Sequence, residues 1–215
     1  MGTRTKCSTA DMKSKNIILL IVVTAIIAIV FYSFQGSQDD EAYFEQIQKE
    51  RKEKDHFMRT AKESPITDKE NFKGLNYFKA DIRFKIIADL TPITERKAVI
   101  LATNDGKEER YLEYAYASFT LDGKENKLLI LEIMDMGPFR GKLFLAFGDE
   151  TSAVETYGAG RYLDINKTPG ATTITLDFNK AYNPYCAYNH TFSCPLPPRE
   201  NLLTVAIRAG EKNYE

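Results

Sequence analysis

Hydropathy divides the chain into three stretches with different periods. The first is an uncharged, almost wholly apolar run from Ile17 to Phe34. At about 1.5 Å per helical residue it reaches about 27 Å, close to the hydrocarbon thickness of a bilayer. The second stretch, Ser37 to Lys62, carries Tyr43, Phe44, Ile47, Phe57, Met58 and Ala61 at three- and four-residue spacings, which predicts an amphipathic helix. Ser37 or Asp39 can cap it, acids fill its first turn, and Lys and Arg crowd its later turns. Ser64-Pro65 ends it, because the residue before proline disfavours helical angles. From Tyr77 onward the period falls to two. Ile82, Phe84 and Ile86 alternate with Asp81, Arg83 and Lys85, the pattern of a half-buried strand.

Further strands are predicted at Lys97–Thr103, Glu109–Thr120, Leu128–Met134, Leu143–Phe147, Gly160–Ile165, Thr172–Phe178 and Leu203–Ala209. Asn104-Asp105-Gly106, Asp122-Gly123 and Gly137-Pro138 supply turns. The expected fold is therefore mainly β: an antiparallel meander of about eight strands forming a small barrel or sandwich, preceded by a transmembrane helix and an amphipathic helix. A doubly wound α/β sheet needs helical periods between the strands, and they are missing.

Charge adds a direction. Arg4, Lys6, Lys13 and Lys15 precede the apolar run against one acid, Asp11, whereas Asp39, Asp40 and Glu41 follow it. The positive-inside tendency then gives a cytoplasmic tail at 1–16, a single-pass anchor at 17–34, a connecting helix at 35–64 and a β-rich domain at 65–215 outside the cytoplasm. In a Gram-negative cell that is the periplasmic side of the membrane. A cleaved secretory signal is the rival reading, but no small-x-small pattern follows the run. Beyond the run the chain has 25 basic and 29 acidic residues, from totals of 29 and 30. An acidic remainder excludes nucleic acid as an expected partner, since that affinity rests on Lys and Arg neutralising phosphates.

Most of the specific polar residues fall between Glu155 and Glu211. Gly158-Ala159-Gly160 is followed by no helix, so it predicts a bulge or a close backbone approach and not a dinucleotide site. Arg161 can form an internal salt bridge or receive an anionic ligand in its fork, and Arg208 can do the same or pair with Asp164 or Asp177. The Asn179–Pro198 segment is too long for a simple hairpin. Outside the cytoplasm Cys186 and Cys194 are expected to close it as a disulfide, with Cys7 reduced on the other side. Two free structural thiols, zinc on Cys186, His190 and Cys194, or a thiol nucleophile with His190, are rivals; no fourth ligand is evident, so no metal is assigned. His56 reads as a packing or solvated residue.

Gly-x-Ser-x-Gly, His-Glu-x-x-His and phosphate-loop motifs are all missing, and no cofactor is indicated. Three functional classes follow. One is a binding module for a small polar or anionic ligand, held by Tyr157, Arg161, Asp164, Asp177, Asn179, Tyr182, Asn183 and Arg208. Another is a hydrolase with paired carboxylates such as Asp164 and Asp177, with Glu211 as a further base. The last is a structural or protein-interaction domain whose motif side chains satisfy one another.

The residues Tyr157–Asp164, Asp177-Phe178-Asn179 with Ala181-Tyr182-Asn183-Pro184, and Cys186 with Cys194–Pro198 resemble the signature of the family called "domain of unknown function 1684". Ser64-Pro65-Ile66 and Phe72–Tyr77 resemble its amino-terminal boundary, so the likeness covers roughly 57–211. It implies a bacterial protein, often membrane-anchored or exported, and carries no catalytic roles.

Overall fold

The structure, a computed structural model, describes residues 9–134 and 137–214, with the side chains at 9–18, 21, 25 and 27–38 outside the described set. The chain forms two compact units, 1–46 and 47–215. The expected connecting helix does not begin at Ser37. It is the later part of one helix, α1, Thr9–Thr60. In the first unit Leu19, Leu20, Val22, Val23 and Ile26 of α1 are exposed. Among the described residues no helix is long and apolar enough to cross a membrane. Most side chains of the expected 17–34 anchor, and residues 1–8 with Cys7, lie outside the described residues. The helix stops near Ser64-Pro65 as the sequence predicts. The Ser64 hydroxyl donates to the Met58 carbonyl at 2.6 Å and accepts from the Ile66 amide at 3.2 Å.

In the second unit seven strands are described: β1 Lys85–Pro92, β2 Ala98–Ala102, β3 Glu108–Leu121, β4 Lys124–Ile133, β5 Leu143–Phe147, β6 Arg161–Ile165 and β7 Thr173–Asp177. They form one antiparallel sheet in the order β6-β5-β4-β3-β1-β7, curled into a half-barrel. β3 is long enough to carry β2 along Glu108–Leu112 and β1 along Ala115–Ser118. Asp122 and Gly123, with φ of 50° and 75°, make the tight primed turn that the right-handed twist of β3 and β4 favours.

Period two divides the side chains between two faces. Leu90, Ala117, Ile130, Leu145, Leu163 and Leu176 join the main core inside the curve. Leu101, Tyr111, Leu129 and Leu131 form a second cluster, with the Tyr111 ring stacked 5.0 Å from Phe144.

Two expected strands differ. Ile82–Phe84 forms a single 3-10 turn, because the Asp81 carboxylate accepts the Arg83 amide at 2.9 Å, and β1 begins only at Lys85. Leu203–Ala209 alternates buried and more exposed side chains as predicted, but it bends at Thr204-Val205 and forms no strand. It adds Leu203, Val205, Ile207 and Ala209 to the main core. Its neighbour Leu202 bridges Gly148, and the Leu203 amide donates to the Gly148 carbonyl at 2.8 Å.

Candidate functional site

Arg161 opens β6 and points into the core, 1% exposed. Its guanidinium donates to the Asp149 carboxylate at 2.8 Å and to the carbonyls of Ile207 at 2.8 Å and Glu211 at 3.1 Å. The Ala209 carbonyl is a further acceptor. The guanidinium thus does for the 207–211 segment what a neighbouring strand would do. Burial pulls the Arg161 pKa down, while the Asp149 carboxylate opposes the shift. Two glycines permit the close approach. At Gly160, φ +86°, a Cβ would lie 2.6 Å from the Phe147 carbonyl oxygen, and at Gly210, φ +75°, 2.5 Å from that of Ala181.

On the other face of β6 the residues converge differently. A concavity of about 600 Å³ lies between Ile47–Met58 of α1 and the residues around Asp164 and Asn179–Tyr182. Lys54 reaches from the helix to Glu211 Oε1 at 2.6 Å, with its ammonium 4.4 Å above the Tyr182 ring. The Tyr182 hydroxyl donates to Asp164 Oδ1 at 2.8 Å. Burial pushes the Tyr182 pKa up and the Asp164 charge adds to the shift. Arg51 donates to the carbonyls of Phe78 at 2.9 Å and Asn179 at 3.3 Å, and its guanidinium lies 4.5 Å above the Tyr77 ring. Glu50 and Lys180 pair across the rim at 2.8 Å. The Tyr77 hydroxyl, on the same wall, is buried without a hydrogen-bond partner.

The expected disulfide is corrected to a pair of free, buried thiols. The Cys186 amide donates to Cys194 Sγ at 3.2 Å, and the Tyr157 hydroxyl faces Cys186 Sγ at 3.7 Å. Spacing brought the sulfurs together but could not distinguish thiol contact from a bond. The hydrogen bond from the Cys194 thiol pulls Cys186 down to about 7 against the burial that opposes it. Giving up that bond, together with burial, pushes Cys194 far up. Burial, followed by the bond to Cys186, pushes Tyr157 up to about 12. His190 is exposed, and among the described residues no group of three or more His, Cys, Asp and Glu is arranged to hold a metal ion.

Of the residues expected to bind ligand, Asp164, Asn179 and Tyr182 line the concavity. Arg161 occupies the core. Asp177 caps the 3-10 turn at Phe178–Lys180 by accepting the Asn179 amide, so it does not join Asp164 in a carboxylate pair at the cavity. Asn179 also clasps Asp81, accepting its amide at 2.9 Å and donating to its carbonyl at 2.8 Å. Asn183 donates its amide to Glu211 Oε2 at 2.9 Å and its side chain to the Lys212 carbonyl at 2.8 Å. Arg208 is exposed and pairs with Glu155 at 2.8 Å. Tyr157 belongs to the thiol pair. Sequence reasoning missed Lys54, Arg51 and Tyr77 at the concavity and Asp149 beneath Arg161. The only signal for Lys54 was helical spacing, which places it one turn from both Arg51 and Met58.

Fold and site together define a half-barrel domain whose carboxy-terminal segment packs into the core and which is flanked by one helix-covered concavity. A family model described as "Protein of unknown function (DUF1684)" matches residues 70–212, and the chain belongs to that family. It is also similar to an uncharacterized protein of Haloarcula marismortui whose solution structure was determined by NMR. The two share 39% identity over 81% of this chain and 96% of that one, with a TM-score of 0.63. That neighbour is archaeal, so the likeness is not confined to bacteria. No curated protein matches the chain.

Proposed function

We propose that residues 47–215 form a binding module for a small polar ligand, seated in the concavity between α1 and β6. The observation that carries this reading is convergence. Lys54, Asp164 and Tyr182 come from three separate parts of the chain and meet at one cavity. Its volume of about 600 Å³ falls inside the range of about 300–1,000 Å³ usual for small-molecule sites. A purely structural domain accounts for Arg161, Asn179 and Asn183, which hold neighbouring segments together by hydrogen bonds to Asp149, Asp81 and Lys212. It leaves the concavity without a role. The paired-carboxylate hydrolase gains no support, since Asp177 is turned to a cap.

The test is a thermal-shift screen of the full chain in detergent against a mixed panel of small metabolites. At least one metabolite is expected to raise the melting temperature. Asn166→Trp, which fills the concavity from its exposed rim, is expected to remove that rise. A shift that survives Asn166→Trp, or no shift with any metabolite, defeats the reading.

The same proposal places the module outside the cytoplasm on a single-pass anchor at 17–34. Support comes from the uncharged run itself and from the solvent-facing Leu19, Leu20, Val22, Val23 and Ile26, an apolar surface that lipid would cover. Release of the chain from membranes by alkaline carbonate alone defeats the anchor.

A further inference from the structure

We infer that the concavity takes a small carboxylate that also carries a hydroxyl or ammonium group, an inference that rests on the binding role proposed above. Donors and acceptors left over at the concavity set the chemistry of its ligand. An ammonium has three donors, and Glu211 Oε1 engages Lys54 from one side at 2.6 Å. The Lys54 side chain is 29% exposed, whereas that of Glu211 is 1% exposed. A molecule entering the concavity therefore meets the cation and not its counter-ion. Glu211 is committed elsewhere as well, since Oε2 accepts from the Asn183 amide and the Tyr188 hydroxyl.

Asp164 presents the opposite requirement. It is exposed and accepts the Tyr182 hydroxyl through Oδ1. A carboxylate offers about four acceptor positions, so capacity remains for a ligand donor. Tyr182 sets the separation of the two ends, with Lys54 above its ring face and Asp164 at its hydroxyl. A plain anion bound at Lys54 would also meet the like charge of Asp164, and a plain cation at Asp164 would meet Lys54. A molecule bearing a carboxylate at one end and an O–H or N–H donor at the other satisfies both.

Met58 lines the concavity and is fully buried, so its methyl group reports on occupancy. The experiment is NMR of the full chain in detergent micelles with 13C-methyl-labelled methionine. It is titrated separately with glycolate, L-serine, propionate and ethanolamine. Glycolate and L-serine are expected to move the Met58 resonance saturably, at least about tenfold more tightly than propionate or ethanolamine, the usual effect of one hydrogen bond to a charged group. Asp164→Asn, at an exposed position, is expected to bring both down to the propionate level. Lys54→Met is expected to remove carboxylate binding altogether. Because that variant strands a buried Glu211, the Asp164→Asn arm carries the decision. Equal affinity for all four probes, unchanged affinity in Asp164→Asn, or a Met58 resonance that none of them moves overturns the ligand class. If other metabolites still give a thermal shift that Asn166→Trp abolishes, the class alone has failed and the binding role stands.

Discussion

The two faces of β6 use the same residue types to opposite ends. On the inner face, Arg161 and Asp149 are nearly water-free and the guanidinium is shared among the carboxylate and three carbonyls. On the outer face, Lys54 is partly exposed and Asp164 exposed, and both keep bonding capacity to spare. Glu211 joins the two. Its carbonyl accepts from Arg161 and its carboxylate forms the ion pair with Lys54. The difference shows that a charged motif residue indicates a ligand only where its internal partners leave it incomplete. Arg161 is the most distinctive charge in the signature, and both its terminal nitrogens are taken up by internal acceptors.

The contrast is broken most strongly at Arg161. Arg161→Leu leaves the Asp149 carboxylate buried without its partner, which costs about 3–5 kcal/mol. Urea denaturation should show it; a loss under about 1 kcal/mol would mean that water reaches the hub.

Gly210→Ala comes next. The new Cβ meets the Ala181 and Phe178 carbonyl oxygens at 2.5 and 2.7 Å, and the residue is held at positive φ, so a loss of more than about 1 kcal/mol is expected. A neutral effect would show that 207–211 is free to shift.

The thiol pair gives a pH signature. Cys186 lies near 7 in the folded protein and near about 8.5 when unfolded. In that window the unfolded chain binds more protons, so this group's stabilisation grows as pH rises from 7 and is lost as pH falls through it. Cys194, shifted upward, acts in the opposite sense above its ordinary value. Cys194→Ala should therefore move the Cys186 midpoint upward, read from ultraviolet thiolate absorbance. An unmoved midpoint would assign the depression to Tyr157.

The smallest expected effect is on stability in Asp164→Asn. An exposed acid whose described partner is one tyrosine hydroxyl should change unfolding by less than about 1 kcal/mol. A larger loss, read by the same urea titration, would place Asp164 with the structural residues and erase the distinction between the faces.

Strand positions were legible because one-sided burial imposes period two, and β2 to β7 lie close to where that period put them. The 203–209 segment shows the limit of the rule. Side chains can alternate whether the backbone's hydrogen bonds go to a strand or to an arginine, so periodicity could not tell these apart. Asn179 and Asn183 were recognisable as special, but not as clasps, because Asp81, Lys212 and Glu211 are distant in sequence. Lys54 was one of several bases on a helix, and only the packing of Ile47–Met58 brings it to Tyr182. The cysteines were placed together correctly. Their oxidation state depended on a compartment argument that the geometry of the free thiols does not follow.

The Tyr162–Tyr182 bridge has a consequence for solubility. A short antiparallel strand turns alternate main-chain groups toward each neighbour. With Tyr162 exchanging both its bonds with Tyr182 at 2.8 and 3.0 Å, the outer margin of β6 keeps a single open position, at Asp164. A bare margin invites a foreign strand to add on. Here the remaining opening is marked by the negative charge of Asp164, which disfavours addition of a foreign strand along this margin.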